Sequence, residues 1–248
     1  MPLQAQQIVS LACNTAKNPA WTVQGGQLLN MILSELCQTY DLAVAQQTLN
    51  TSFFSGTNGY APNTGSYFQW LPTNWLRPDK DNLFYIIDGV KYILIPCTLA
   101  QLNAKVETAG LNGYPEYFAV DTEPLSSGGA PIGYFWPPPA GSYLLTAVYY
   151  SQMTDITNPQ SSSTIPWFPN QSYLIRRLTG ELMEISGDAR AARYLGGVDK
   201  DGFEGATALL DRYLKMKDDV QVPKQVTLDR RLFQNRWDKA RNTKTIGW

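Results

Sequence analysis

Carboxylates and paired arginines are the residues of this sequence that could do chemistry, because the chain has no histidine. Without histidine there is no Ser-His-Asp or Cys-His nucleophile, and both the commonest zinc ligand and the commonest general base are missing. Carboxylate chemistry is not excluded. Three short motifs are its candidates: Asp121-Thr122-Glu123, Asp199-Lys200-Asp201-Gly202 and Gly25-Gly26-Gln27.

Each of these three motifs lacks a part that its chemistry needs. Asp121-Thr122-Glu123 is similar to the Asp-Thr-Gly of aspartic proteases, but it has neither the glycine nor the second copy that supplies a carboxylate dyad. Asp199-Lys200-Asp201-Gly202 could begin a calcium loop, but the twelfth position, where an EF-hand needs Glu, is Leu210. Gly25-Gly26-Gln27 matches the tripeptide of peptide-release factors but runs into an apolar helix. The more ordinary interpretation of the first motif is a polar strand end. The second is then an acidic helix start, and the third is part of a helix interior.

The paired arginines Arg176-Arg177 and Arg230-Arg231 could contact phosphates. For the first pair, Glu181 and Glu184 lie within one or two helical turns, which favours a solvated helix face. The three cysteines, Cys13, Cys37 and Cys97, are odd in number and widely spaced, which predicts reduced thiols and no metal knuckle. We therefore expect no catalytic residue, no metal and no cofactor, and the prediction is that the chain is not an enzyme.

Charge is scarce and unevenly distributed in this 248-residue chain. Charged residues make up 17%, below the usual quarter, and 44% are apolar. Such a composition favours a subunit that buries surface against partners, although a quiet monomer surface is the alternative. Residues 61–170 carry four basic and eight acidic residues, whereas residues 221–248 carry seven and two. The basic end predicts an interaction arm, with a solvated tail as the alternative.

Helices are predicted at both ends of the sequence. One should span residues 3–16, and a second should begin at Thr22 as its cap and run to about Gln47. This second helix has almost no charge, so we expect it to be covered on more than one side. After residue 170, a stripe of Leu174, Leu178, Leu182 and Ile185 predicts another helix. A short one capped by Asp188 and ending at Gly196-Gly197, and a last one over about 201–217, complete the set.

The middle of the chain is rich in β-forming residues. Residues 83–96 predict a hairpin that turns at Asp88-Gly89. A short helix is expected over residues 98–106 and a strand over 116–121. The segment GYFWPPPAGSYLLTAVYYSQM predicts two more strands, 132–136 and 143–151, paired antiparallel across the turn Pro137-Pro138-Pro139-Ala140-Gly141. Both faces of the strand 143–151 are largely apolar, so both should be covered. No end of the chain resembles a secretory signal, and no run reaches the ~18 apolar residues of a membrane helix.

Several motifs occur in an order that resembles a known family. They are YFWPPP, YLLTAVYYSQM, TIPWFPNQSYLIRRLTGELM, LLDRYLKMKDD and VTLDRRLF. Over roughly residues 65–233 the chain is similar to the head-to-tail adaptor proteins of short-tailed and related bacteriophages. The resemblance implies an α+β fold, a helical bundle with an inserted antiparallel β domain and an extended C-terminal arm. The segments expected are helices over 1–50, a β-rich insertion over 51–157, helices over 158–220 and an arm over 221–248.

The resemblance also implies a structural role in the virion neck, after assembly in the host bacterial cytoplasm. Such proteins form a ring, usually dodecameric, between the portal protein and the tail nozzle or tail tube, and genome DNA passes through without specific binding. No enzymatic activity or membrane is involved, and tail fibres are a further candidate partner. The arm would bind portal through Leu228, Arg230, Arg231, Phe233, Arg236, Trp237, Lys239, Arg241 and Trp248. Here the chain departs from the family, which ends soon after VTLDRRLF.

Two other functions stay open from the residues alone. A carbohydrate- or host-surface-binding module of a phage tail could use Tyr134, Trp136 and Tyr149 as stacking faces, provided that those rings are open to solvent. A glycan-cleaving enzyme would need two acids facing each other across a cleft, and the β-rich region offers only scattered ones.

Overall fold

The computed structural model describes residues 2–53, 67–106, 113–123 and 129–221. Within these ranges helices and mostly antiparallel strands are mixed, which confirms the predicted α+β class. The helices are α1 (Ala5–Thr15), α2 (Thr22–Thr39), α3 (Leu99–Val106), α4 (Gln171–Ile185), α5 (Ala191–Leu195) and α6 (Ala206–Gln221). The strands are β1 (Gln46–Phe53), β2 (Tyr67–Trp70), β3 (Trp75–Ile87), β4 (Val90–Ile93), β5 (Ile95–Pro96), β6 (Tyr117–Asp121), β7 (Ile132–Trp136) and β8 (Tyr143–Ser151).

Helix α4 is the centre of the helical region and contacts α1, α2, α5 and α6. Leu174, Leu178 and Leu182 are fully buried, as their three- and four-residue spacing predicts, whereas Ile185 is exposed at the end of the helix. The N-terminus is joined to this helix directly, because the Leu3 amide donates to Gln171 Oε1 at 2.8 Å. Helices from both ends of the sequence thus share one apolar core.

The strands form two four-stranded sheets that pack face to face. Sheet A has the order β1-β8-β3-β4 and is antiparallel throughout, and sheet B has the order β2-β7-β6-β5 with a parallel β5–β6 pair. Tyr85 and Leu145 of sheet A share one core with Phe118 and Phe135 of sheet B. Helix α3 covers the other face of sheet B, where Leu102 packs with Ala119 and Trp136.

The prediction that the second helix runs to about Gln47 is wrong. Helix α2 ends at Thr39, a short 3-10 helix follows at Ala43–Ala45, and β1 begins at Gln46. Arg77 of β3 explains the early end, because its guanidinium donates to the carbonyl oxygens of Cys37 and Gln38 at 3.2 and 3.0 Å. Those carbonyls belong to the last turn, where helical partners run out, so a partner in the sheet stabilises the end of the helix.

The predicted pairing of strands 132–136 and 143–151 is also wrong. Both strands exist, but β7 lies in sheet B and β8 in sheet A. The proline run between them is held by Gly113, whose amide donates to the Pro138 carbonyl at 2.8 Å while its carbonyl accepts from Ala140 at 3.0 Å. With these hydrogen bonds taken by Gly113, the connection crosses from one sheet to the other instead of closing a hairpin.

Other predictions about local structure are confirmed or need small corrections. The Asp88-Gly89 turn joins β3 to β4 with φ of 47° and 80°, as a two-residue hairpin turn requires. Thr22 is the first helical residue of α2 and not its cap. The N-cap of α5 is Arg190 and not Asp188, although the Asp188 carboxylate accepts from the Arg190 amide at 2.9 Å. The last helix begins at Ala206 instead of near residue 201. The division into four segments stays a prediction.

Candidate assembly surfaces

The acidic motifs are occupied by local partners. Asp121 Oδ1 accepts a hydrogen bond from the Glu123 amide at 2.9 Å, a turn that closes the end of β6. Asp199 and Asp201 lie before α6 and both pair with Arg193, at 3.0 and 3.5 Å. Their predicted role at the start of the last helix is therefore replaced by a link back to α5. Among the described residues, no group of three His, Cys, Asp or Glu side chains could hold a metal ion.

The tripeptide Gly25-Gly26-Gln27 is part of a helix crossing. A Cβ on Gly25 would lie 3.2 Å from Val9 Cγ1 and 3.1 Å from Cys13 Sγ, both on α1. The absence of that carbon lets α1 and α2 approach each other closely. Gly25 and Gly26 are both buried, so this motif belongs to the core and not to an exposed loop.

The side chains of Arg176 and Arg177 contact other residues of the same chain. The Arg176 guanidinium lies over the Phe203 ring at 4.2 Å, and Arg193 lies over the same ring at 4.8 Å. Arg177 pairs with Glu181 at 2.8 Å and with Glu35 of α2 at 3.4 Å. These contacts tie α4 to its neighbours and support the helix-face interpretation over a phosphate site.

The rings proposed as sugar platforms are mostly core residues. Trp136 is 5% exposed and Tyr149 is 3% exposed, while Tyr134 is half-buried. Tyr149 stacks on Trp75 at 4.5 Å between ring centroids, and its hydroxyl donates to Gln47 Oε1 at 2.8 Å. A stacking platform needs a ring face open to solvent, so the burial of Trp136 and Tyr149 counts against the carbohydrate-binding alternative.

Four tyrosines join the edge of sheet A to the segment that enters β6. Tyr85 stacks with Tyr92 and with Tyr143, in each case at 5.3 Å, and Tyr114 stacks on Tyr92 at 5.6 Å. The Tyr85 hydroxyl donates to the Pro115 carbonyl at 2.9 Å, and its burial raises the pKa of this phenol. This arrangement makes the cluster a packing unit, in which the Tyr85 hydroxyl stays protonated.

Arg77 joins the sheets to the helices. Besides the two carbonyls of α2, its guanidinium binds the Asp41 carboxylate, with Nε 2.8 Å from Oδ1, and lies over the Tyr150 ring at 5.0 Å. Asn30 of α2 adds a paired contact, in which its side chain donates to the Ile156 carbonyl and accepts from the Ile156 amide, at 3.0 and 3.1 Å. Several directional contacts therefore fix the two regions to each other.

The outer face of sheet A carries exposed apolar side chains within the described chain. Ile86, Ile93 and Leu144 lie on this face and are 45%, 58% and 51% exposed. The expectation that both faces of strand 143–151 are covered thus holds for the inner face, where Leu145 is fully buried, but not for the outer one. Large exposed apolar side chains on one sheet face are typical of an interaction surface.

Helix α2 also has an open face with little charge. Val23 and Met31 are 57% and 65% exposed, and Glu35 is the one charged residue of the helix. The expectation of cover on more than one side is wrong for the single chain, in which only one side of α2 is buried.

The predicted arm residues lie outside the described residues. Leu228, Arg230, Arg231, Phe233, Arg236, Trp237, Lys239, Arg241 and Trp248 all follow Gln221, the last residue described. Strands β1 and β2 and the open face of sheet A were not predicted from the sequence. The signal for β1 was weak, because QQTLNTSF does not alternate apolar and polar residues, although its threonines favour a strand.

Three further observations bear on identity. No helix in the described ranges is long and apolar enough to cross a membrane. A family model described as the SU10 adaptor protein matches residues 3–231. A comparison with curated proteins finds no significant match. The family match spans both helical segments and the two sheets between them, so it concerns the whole described fold.

Proposed function

This chain belongs to the SU10 adaptor protein family, and from that premise we propose that it forms the ring that joins the portal vertex of a phage head to the tail nozzle. Membership in a phage adaptor family supports a structural, non-enzymatic role as a component of the virion, with portal and tail components as its partners in general. The ring, usually dodecameric in such proteins, and the DNA channel through it are parts of the proposal.

The proposal of a ring is supported by the apolar side chains that the single chain leaves exposed. Ile86, Ile93 and Leu144 on sheet A are each about half exposed, and α2 also presents Val23 and Met31 to solvent, in a chain of low charge. Burying such side chains against neighbours stabilises an assembly by about 25 cal/mol per Å² of apolar surface, although binding also has entropic costs. A subunit with several neighbours accounts for this exposure better than a monomer does.

The proposed channel should not hold DNA. Residues 61–170 carry four basic and eight acidic residues, so the β-rich insertion repels phosphates if it lies at the channel or its mouth. Binding of duplex DNA by the purified chain at physiological salt should be negligible, as measured by fluorescence anisotropy over a salt series. A submicromolar complex that weakens with salt and has no sequence preference would count against this part.

The portal-binding arm is the second part of the proposal. Residues 221–248 carry seven basic and two acidic residues, with Phe233, Trp237 and Trp248 as apolar anchors among them. The family match ends at residue 231, so it includes Leu228, Arg230 and Arg231 but not the later aromatic residues. This boundary divides the arm into a family-like part and an additional part.

The test compares three chains for ring formation and portal binding. Native mass spectrometry and negative-stain microscopy are applied with and without the portal protein of the same phage. The full chain should form rings and bind portal. Deletion of 224–248 should leave a folded protein that no longer binds portal, and deletion of 232–248 is the matched control for the additional part. A chain that forms no ring and ignores portal would overturn the proposed function, and a 224–248 deletion that binds as before would overturn the arm.

A further inference from the structure

Strand β1 is an open sheet edge without the usual protection. It spans Gln46–Phe53, eight residues that include no charge, proline or glycine, and it pairs with β8 in continuous register without a bulge. No described residue pairs with its other side. Lysines, prolines and bulges are what proteins place on an edge strand to stop it from pairing with another chain. A long edge without them is therefore suited to pairing.

The two edges of sheet B are built differently. Strand β5 is two residues long and includes Pro96, which cannot donate to a ladder, and β2 has four residues. The edge at β5 offers little backbone to a second chain, and the edge at β2 is half as long as β1. The contrast points to β1, at eight residues, as the edge on which another strand would find a continuous row of partners.

The opposite edge of sheet A, β4, is also open among the described residues. Lys91 is the one charged residue of β4, and its ammonium lies over the Phe84 ring on the outer face, at 3.9 Å. The charge therefore does not lie along the strand edge, where it would prevent pairing with another chain. Val90 and Ile93 are 55% and 58% exposed. The same sheet thus ends in two complementary edges, one polar and uncharged and one largely apolar.

We propose that β4 of one copy pairs with β1 of the next, so that sheet A continues from subunit to subunit. This inference rests on the proposed ring, in which every copy stands the same way up. Sheet A has four strands that are all antiparallel to their neighbours, so β1 and β4 run in opposite directions. A copy placed beside the first without being turned over therefore brings its β1 antiparallel to β4, which is the geometry of every other pair in the sheet.

The register within the sheet identifies the residues with which this contact can be tested. Asn50, Thr146, Phe84 and Ile93 form one row across the sheet, which ends at Asn50 on one edge and at Ile93 on the other. Without stagger between copies, Ile93 would lie opposite Asn50 of the next copy. With a stagger of two residues it would lie opposite Thr48 or Ser52, which share the outer face because side chains alternate along a strand.

Cysteine pairs test the contact directly. Thr48→Cys, Asn50→Cys and Ser52→Cys are each combined with Ile93→Cys in a Cys97→Ser chain, since the other native cysteines, Cys13 and Cys37, are buried. Residues opposite each other on neighbouring strands lie about 4.5–5.5 Å apart at Cα, within reach of a disulfide. One of the three pairs should give, on oxidation, a ladder of dimers, trimers and higher species. Each single cysteine should give none.

Lysines on the edge provide an independent test. Thr48 and Asn50 are exposed, so Thr48→Lys with Asn50→Lys should leave the thermal unfolding of the single chain unchanged. The added charges would lie in the strand pair opposite Ile93 or its neighbours, and at the stagger that puts Ile93 opposite Thr48 one of them would face Lys91 of the next copy directly. Charges on an edge strand, and like charges across a strand pair, oppose pairing, so rings should dissociate at a concentration roughly tenfold higher or more. The matched control adds the same charge on α1, as Ser10→Lys with Asn14→Lys, at exposed positions outside the proposed contact surfaces, and should keep its rings.

The outcomes separate this contact from the ring itself. A wild-type chain that stays monomeric up to about 1 mM overturns the ring and the edge contact together. Wild-type rings without any ladder from the three pairs, or rings that tolerate the edge lysines, overturn the edge contact alone. Dimers from a single cysteine on β1 would show that two β1 strands pair with each other, and they would replace the proposal with a two-fold contact.

Discussion

In the helical region, apolar side chains from both ends of the sequence close around α4, whereas in the β region two smaller cores leave one sheet face and its edges open. Phe168 and Leu178 are fully buried in the first region, while Ile86 and Leu144 of the second are about half exposed. The helical region thus resembles a finished domain core. The β region resembles one half of a contact, which is what we expect if the helices supply most of the stability and the sheet supplies a contact of the proposed ring.

Removing a helical core ring should have the largest effect on stability. Phe168 is 0% exposed, and its ring contacts Tyr173 and Tyr213 at 5.4 and 5.0 Å, which joins α4 to α6. Phe168→Ala should lower the free energy of unfolding by about 3–5 kcal/mol, because it leaves a cavity and loses ring contacts. Denaturant titration followed by circular dichroism measures it. A loss below about 1 kcal/mol would contradict the view of the helical region as the stable half.

Removing a core ring of the β region should come next. Trp136 is 5% exposed and packs with Leu102 of α3 and Ala119 of β6. Trp136→Ala should cost up to about 3–5 kcal/mol, at the lower end because this cluster is small, and should lower the melting temperature and the soluble yield. If the variant instead melted within a degree or two of the wild type and lost glycan binding, the ring would be a sugar platform after all.

Breaking the junction should have an intermediate effect. Arg77→Ala removes four hydrogen bonds to the end of α2 and to Asp41, of which the shorter ones measure 2.6 and 2.8 Å. We expect the free energy of unfolding to fall by about 1–2 kcal/mol. We also expect it to depend less steeply on denaturant concentration, since the two regions would unfold less cooperatively. Arg77→Lys is the control, because it keeps the charge but not the planar fork. An unchanged, single transition in Arg77→Ala would show that the regions are joined by other contacts.

Changing the outer face should have the smallest effect on the single chain. Leu144→Ser should alter the free energy of unfolding by less than about 0.5 kcal/mol, because the side chain is already 51% exposed. Its neighbour Leu145 is 0% exposed, so Leu145→Ser serves as the control and should be strongly destabilising. Analytical ultracentrifugation of Leu144→Ser should show weaker assembly. Wild-type assembly together with wild-type stability would remove this face from the contact.

The sequence predicted those elements whose signal is local. Leu174, Leu178 and Leu182 repeat along one helix, and Asp88-Gly89 marks a tight turn, so both were found. Strand β1 was missed because its partner β8 lies about 100 residues later in the chain, and nothing in QQTLNTSF alone reveals that pairing. The assignment of β7 and β8 to different sheets likewise depends on Gly113, a distant residue that takes the hydrogen bonds of the proline run.

The candidate surfaces were predictable only in part. Low charge indicated a subunit with partners, but the position of the open face depends on which strands pair, which the sequence did not reveal. The arm residues from Leu228 to Trp248 lie outside the described residues, so their role stays a prediction.

The anchoring of the N-terminus to the later helices has a consequence for the order of synthesis. The Ala5 amide donates to the Thr164 carbonyl at 2.8 Å, so α1 is complete long before its partners exist. At about 5–20 residues per second, translation separates them by roughly 8–30 s. During that interval the apolar sides of α1 and α2 have no α4 to pack against, while the β region is already being made. We therefore expect the β region, whose strands are all synthesised before α4, to fold first on the ribosome, and the helices to close last.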